Sequence, residues 1–194
     1  MSFILASGSA SRRAILENAQ LNFEIDPADI DEGAVKDSFE GDPAALALKL
    51  AELKALEVSR RRPGVLVLGS DQVLEFDGVA YDKARSVEEA EARLRQLRGG
   101  AHYLQGGIAL ARDGEIVWRH QARSTLVMRD FSDEFLAYYL ENAGEILTKG
   151  VGCYAYEGLG AQLFERTEGD YFAILGLSLL PVLDALRREG VAAR

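Results

Sequence analysis

Histidine and cysteine are nearly missing from this chain, and their scarcity removes whole classes of chemistry before any motif is read. The only histidines, His102 and His120, have no spacing suited to zinc or to a nucleophile triad, so packing or surface roles are expected of both. The single cysteine, Cys153, cannot close an internal disulfide, which fits a reducing compartment. In Val151-Gly152-Cys153-Tyr154 it reads as a small packing residue, not a nucleophile. Long apolar runs are absent too. Residues 65–68 and 174–180 are far too short for a bilayer span, so no membrane association is expected. Near the amino end, Ser7, Ser9, Arg12 and Arg13 interrupt the apolar stretch too early for a secretory leader, and a cytoplasmic protein is expected. Basic surplus is also lacking. A formal charge of −9 argues against nucleic acid as a partner, because such binders displace counterions with a basic surface. A small polyanion remains compatible if a few cations gather in one cleft. The placement of Arg12, Arg13, Lys54 and Lys83 is therefore the question to settle.

What is present suits a compact α/β protein. With 194 residues, 48% of them apolar, and no internal repeat or low-complexity linker, the chain reads as one domain spanning 1–194, or two tightly joined lobes. Strand-like and helix-like patterns alternate. Residues 3–6 read as a buried strand, followed by a Ser/Gly turn and a helix over 10–19; residues 22–26 alternate like a second strand. The acidic stretch 26–42 reads as a loop. A helix over 44–61 places Leu46, Ala47, Leu50 and Leu53 on one apolar face with Lys54 at its edge, and Pro63-Gly64 stops it. Residues 65–68 form an aliphatic run, followed by Gly69-Ser70-Asp71, which has turn character. Asp71 then falls at the carboxyl end of a central strand, where open α/β sheets collect ligands. Asp77-Gly78 and Asp113-Gly114 signal hairpins. Helices are expected over 86–97, with Ser86 and Glu89 forming a capping box, over 132–141 and over 178–189. The sheet should be mixed.

The segment Leu5-Ala6-Ser7-Gly8-Ser9-Ala10-Ser11-Arg12-Arg13 has the makings of an anion site: a helix amino end, hydroxyl donors and two guanidinium groups. The same residues also suit a Ser-capped helix with two surface arginines. With its Ser-x-Ser and Arg-Arg pattern, this segment resembles the Maf family of nucleotide pyrophosphatases. The likeness continues in order through Leu50-Ala51-Glu52-Leu53-Lys54-Ala55, Gly69-Ser70-Asp71-Gln72-Val73, Asp82-Lys83, Leu97-Arg98-Gly99, Gly158-Leu159-Gly160, Glu168-Gly169-Asp170-Tyr171 and Gly176-Leu177. Each block is weak alone, but together they cover nearly the whole chain.

The resemblance implies a mixed twisted sheet flanked by helices, two lobes around a central cleft, and a homodimer. It also implies hydrolysis of a nucleoside triphosphate between its α and β phosphates with a divalent cation, Mg2+ or Mn2+. Such a reaction needs charge neutralisation and a positioned water more than covalent chemistry. On this reading Asp71 is the catalytic acid, activating water directly or holding the metal that does. Ser7, Ser9, Arg12, Arg13, Lys54 and Lys83 bind phosphate. Ala84 stands where the family usually has proline, which bears on the turn around Lys83. Asp31 and Glu32 match an acidic pair, and Glu32 with Asp71 is the implied metal-binding pair, with a solvated loop as the alternative.

Ser11, Gln72 and Glu157 match three positions that line the nucleobase pocket. The one additional residue between Ser9 and the arginine pair, and Glu157 in place of the glutamine of pyrimidine-directed members, resemble the branch acting on 7-methyl-GTP. A carboxylate only accepts hydrogen bonds, so Glu157 favours the donor edge of guanine and a positively charged N7-methylated ring. Ser11, by contrast, replaces the aromatic residue expected in that branch. A dTTP/UTP pyrophosphatase and a non-enzymatic nucleotide-binding regulator of cell division are the competing readings.

Overall fold

The structure is a computed structural model that describes residues 2–193. In chain order its elements are β1 (Phe3–Leu5), α1 (Ala10–Asn18), β2 (Phe23–Ile25), α2 (Glu32–Ser38), α3 (Pro43–Arg61), β3 (Val67–Phe76), β4 (Val79–Tyr81), α4 (Val87–Leu97), β5 (Ala101–Arg112), β6 (Glu115–Met128), α5 (Asp133–Asn142), α6 (Ile146–Lys149), β7 (Phe164–Glu168), α7 (Tyr171–Ile174) and α8 (Leu179–Arg188). The seven strands form one sheet of order β2-β1-β3-β5-β6-β7, with β4 also paired to β3. β1 runs parallel to β2 and β3, and every other pairing is antiparallel, so the sheet is mixed as expected. Both Asp-Gly hairpins form. Asp77, Gly78, Asp113 and Gly114 all have positive φ, between 51° and 79°, as a two-residue type I′ turn requires. No helix among the described residues is long and apolar enough to cross a membrane.

Two elements differ from the sequence reading. Gly69-Ser70-Asp71 is no turn, because β3 runs straight through it and pairs Gly69 with Ala109 and Asp71 with Gly107. The glycines are there for close approach. A Cβ on Gly69 would lie 2.2 Å from the Ala51 carbonyl oxygen, and one on Gly107 would lie 2.3 Å from that of Ala47. The backbone of α3 thus rests directly on the sheet beside Asp71. The acidic stretch 26–42 also contains α2, capped by the Asp31 side chain, which accepts from the Ala34 amide at 3.0 Å. Ile30, Val35 and Phe39 pack on Leu46, Leu50 and Val73, so a few well-spaced apolar residues suffice to order it.

The largest apolar clusters lie toward opposite ends of the long strands. One gathers Leu74, Leu104, Leu126 and Met128 with the inward faces of α4 and α5; the other gathers Phe3, Leu5, Leu68, Ile108 and Leu110 with α1 and α8. Along β3 the segment between them is Ser70-Asp71-Gln72, and along β5 it is Gln105-Gly106-Gly107. Polar mid-strand residues therefore sit between two cores, which is the physical form taken by the expected pair of lobes. Within the first core His102 is fully buried, with Nε2 at 2.7 Å from the Tyr154 hydroxyl and no partner for Nδ1. Burial pushes His102 down to about 4.

Two outcomes follow from this packing. Gly69→Ala drives a methyl group into α3, and chemical denaturation should show a loss of about 1–3 kcal/mol or more, as overpacking typically does. The unfolded chain protonates His102 at higher pH than the folded one does, so stability falls as pH drops from 6.5 toward 4. The His102 contribution is about 3 kcal/mol across that window. Stability curves of wild type and His102→Phe measured at both pH values should diverge by that amount, with the variant less sensitive to acid.

Candidate active site

The site begins with a gap in the sheet. On one edge β3 pairs with β1 only through Val67 and Leu68, and β4 joins only from Leu74 onward. Residues 69–73 between them have no strand partner on that side, while their other edge is fully paired with β5. Asp71 is the middle residue of this gap. It lies just past the carboxyl end of the parallel pairing, where ligands of open α/β sheets gather, although its own strand continues to Phe76.

Three elements meet Asp71 there. The Lys54 ammonium, on α3, lies 2.6 Å from Asp71 Oδ1 and 2.8 Å from Glu32 Oε1 on α2. The Asp71 and Lys54 side chains are each only 11% exposed. One buried cation thus serves two carboxylates, leaving residual negative charge that favours a second cation. Lys36 extends the cluster: it is ion-paired to Asp82 and lies 3.9 Å from Glu32 Oε2. Burial raises the Glu32 carboxyl, but the Lys54 hydrogen bond and the charges of Lys54, Lys36 and Lys83 outweigh it and hold Glu32 below the usual range. Burial lowers the Lys36 ammonium, and Asp82, Glu32 and Asp71 more than offset that, holding it above its ordinary value.

The amino-terminal segment approaches through Arg12. Ser9 caps α1, accepting from the Arg12 amide at 3.4 Å and lying 3.0 Å from the Ser11 hydroxyl. The Arg12 guanidinium is buried, donating from Nη1 to Ser7 Oγ at 3.1 Å and from Nε to the Gly176 carbonyl at 3.0 Å. Burial lowers its pKa while the charges of Asp71 and Glu32 act in the opposite direction, so this cation shares the field of the cluster. Arg13 points elsewhere and pairs with Glu17 at 2.7 Å on the exposed side of α1. Lys83 is exposed, and its charge is felt by Glu32. The opposite face of β3 ties down α7 and the residues just after it. Ser70 donates to the Gly176 carbonyl at 3.2 Å, and the Gln72 amide nitrogen donates to the Ala173 carbonyl at 2.8 Å. Gly176 adopts φ +109°, a conformation suited to glycine. Glu157 lies exposed on a turn and adds no hydrogen bond or ion pair to the cluster among the described residues; the neighbouring Tyr156 ring stands 6.3 Å from that of Tyr171, itself half exposed.

Lys36 escaped the sequence reading, and Asp82, Ser70 and Gly176 entered it only as parts of motif blocks, with no role of their own. Nothing local to Lys36 singles it out, because its partner Asp82 lies 46 residues away. Among the described residues no group of three or more His, Cys, Asp or Glu is arranged to hold a metal ion. The two carboxylates sharing Lys54 nevertheless suit Mg2+, which keeps several waters and takes one or two carboxylates together with substrate phosphates. A separate concavity of about 430 Å³, lined by Asp42, Glu75, Gln105 and Arg123 among others, contains none of the clustered residues.

Comparison with known proteins agrees along the whole chain. The nucleoside triphosphate pyrophosphatase of Maricaulis maris is 54% identical over 97% of this chain and 97% of its own length. The 7-methyl-GTP pyrophosphatase of Rhizobium meliloti is 47% identical over 96% of each. Among solved structures, a HAM1 protein from Coxiella burnetii aligns at TM-score 0.44 and 16% identity, over 68% of this chain and 74% of that one. Residues 2–189 match the Maf-like protein family, and the chain belongs to it.

Proposed function

We propose that this chain is a nucleoside triphosphate pyrophosphatase, cleaving between the α and β phosphates to release a nucleoside monophosphate and pyrophosphate. The observation that carries the reading is the buried Lys54 shared by Asp71 and Glu32 inside the strand gap. A triphosphate entering the gap offers its oxygens to Lys54, which frees the carboxylate of Asp71 to face a water molecule. Asp71 accepts a proton as the water oxygen bonds to the α phosphorus, and the bond from that phosphorus to the bridging oxygen breaks, sending the electron pair out with pyrophosphate. Arg12, held between Ser7 and the Gly176 carbonyl, is a fixed positive charge at the rim, and Lys83 is an exposed one. Ser7, Ser9 and Arg13 complete the phosphate set in this proposal, Arg13 by leaving Glu17. Asp71 and Glu32 would hold Mg2+ or Mn2+, which when bound supplies charge neutralisation and polarises phosphate oxygens.

The proposed base is guanine methylated at N7. Glu157 offers only acceptors, and a carboxylate attracts the positive ring of such a base. Ser11 and Gln72 are assigned to the other two pocket positions by the family likeness alone, and the Tyr171 ring offers an aromatic face near the turn that carries Glu157. The 7-methyl-GTP pyrophosphatase named for the Rhizobium meliloti relative supports this choice. A cytoplasmic homodimer belongs to the same reading and rests on the family likeness alone.

The test is a turnover assay of purified protein with divalent metal on canonical and N7-methylated triphosphates, reading pyrophosphate. Metal-dependent release, fastest with 7-methyl-GTP, is expected, and Asp71→Asn should lower it by about 10²–10⁴-fold. Saturable binding with no pyrophosphate from any nucleotide would replace the enzyme with a nucleotide-binding regulator.

A further inference from the structure

We infer that Lys36 is a positioning residue of the phosphate site: through its ion pair with Asp82 it holds the loop carrying Lys83 against the Asp71, Lys54 and Glu32 cluster. This rests on the triphosphate reading of that cluster. From Asp71 outward the charges alternate in sign, through Lys54, Glu32 and Lys36 to Asp82, and they join β3, α3, α2 and the segment between β4 and α4. The chain of charges spans one side of the strand gap and ends next to Lys83.

The loop needs such a hold. Ala84 leaves its own φ free where a proline would fix it. The other anchors of the segment all reach back toward α4 and the neighbouring core: Arg93 donates to the Asp82 carbonyl, Ala84 is buried, and the Arg85 amide donates to Glu89 at 3.0 Å. Among the described residues, the Asp82 side chain makes the one hydrogen bond or ion pair from residues 82–85 to α2 or α3. Lys83 makes no ion pair among the described residues, and its charge is felt at Glu32. An ammonium available to an anion, on a loop tied to α2 at one point, depends on that point for its reach toward the cluster.

The sign of one substitution separates positioning from simple electrostatics. Asp82→Asn removes a negative charge from the surroundings of a polyanion. If field alone mattered, it would tighten triphosphate binding. If Asp82 and Lys36 hold the loop, Asp82→Asn and Lys36→Met both weaken it, and the double variant is no worse than either single one.

Calorimetric titration of the full chain with inorganic tripolyphosphate tests this, alongside the KM and kcat of pyrophosphate release. Expected are a Kd and KM raised about three- to fivefold in each variant, the size of effect an exposed ion pair can exert. Expected with them are kcat within about twofold, a near-normal value for Lys36→Arg, and no further effect of Lys36→Met in a Lys83→Met background. Tighter binding by Asp82→Asn, an unchanged Lys36→Met, or a full Lys36 effect without Lys83 would each overturn the inference while leaving the site reading intact. Failure of the wild type to bind tripolyphosphate at millimolar concentration would remove the site reading and the inference together. Tripolyphosphate binding without turnover would remove only the enzymatic assignment, and the Kd comparison would still decide the role of Lys36.

Discussion

A single lysine ammonium shared by two carboxylates in a break of the sheet edge is the contact on which the rest of this molecule turns. Burying Lys54 and Asp71 is expensive unless each finds a partner, and removing one partner of a buried pair typically costs about 3–5 kcal/mol. Much of the fold contributes to placing these groups. Gly69 and Gly107 let α3 lie on the sheet, which puts Lys54 within 2.6 Å of Asp71. β1 stops after Leu5 and antiparallel β4 ends at Tyr81, opposite Leu74, and these two ends open the gap in which the carboxylate stands. α2, packed through Val35, brings Glu32 to the same ammonium. The two cores on either side keep the polar mid-strand residues apart from apolar packing.

The resting arrangement is also compatible with the proposal that a chain of net charge −9 receives a polyanion. The cations at the gap are not dispersed over the surface: Arg12 is locked between Ser7 and Gly176, Lys54 lies between acids, and Lys83 stands nearby. On the proposed reading, acidic partners hold the cations in place until phosphate oxygens replace them, and the carboxylates so released would be free to bind a divalent cation. The excess of acid thus keeps the cations organised without competing at long range, because exposed charges beyond about 8–10 Å are screened at physiological salt.

Much of this was legible in the sequence. The alternation of strand and helix patterns, both Asp-Gly hairpins and the capping serines of α4 and α5 are local features whose physics lies within a few residues. Asp71 and Lys54 stood out through ordered motif blocks, and Glu32 only as one of an acidic pair that could equally have been a solvated loop. What stayed hidden depends on long-range contact. Gly69 looked like a turn because glycine's other use, admitting a helix backbone onto a strand, leaves no local trace. α2 looked like a loop because three apolar residues among many acids do not show what they pack against. The split between the two arginines, one buried on Gly176 and one paired with Glu17, is decided by a carbonyl 164 residues away. Lys36 and Asp82 are 46 residues apart, and only the folded chain makes them neighbours.

The most direct measurement is a crystal structure of the protein with Mg2+ and a triphosphate whose α–β bridge resists hydrolysis. The account predicts the phosphates in the gap between β1 and β4, with Lys54 turned from Asp71 to a phosphate oxygen and the Asp71 carboxylate facing the α phosphorus. Triphosphate bound elsewhere, for instance in the concavity beside Glu75 and Arg123, with the contact between Lys54 and Asp71 unbroken, would contradict it.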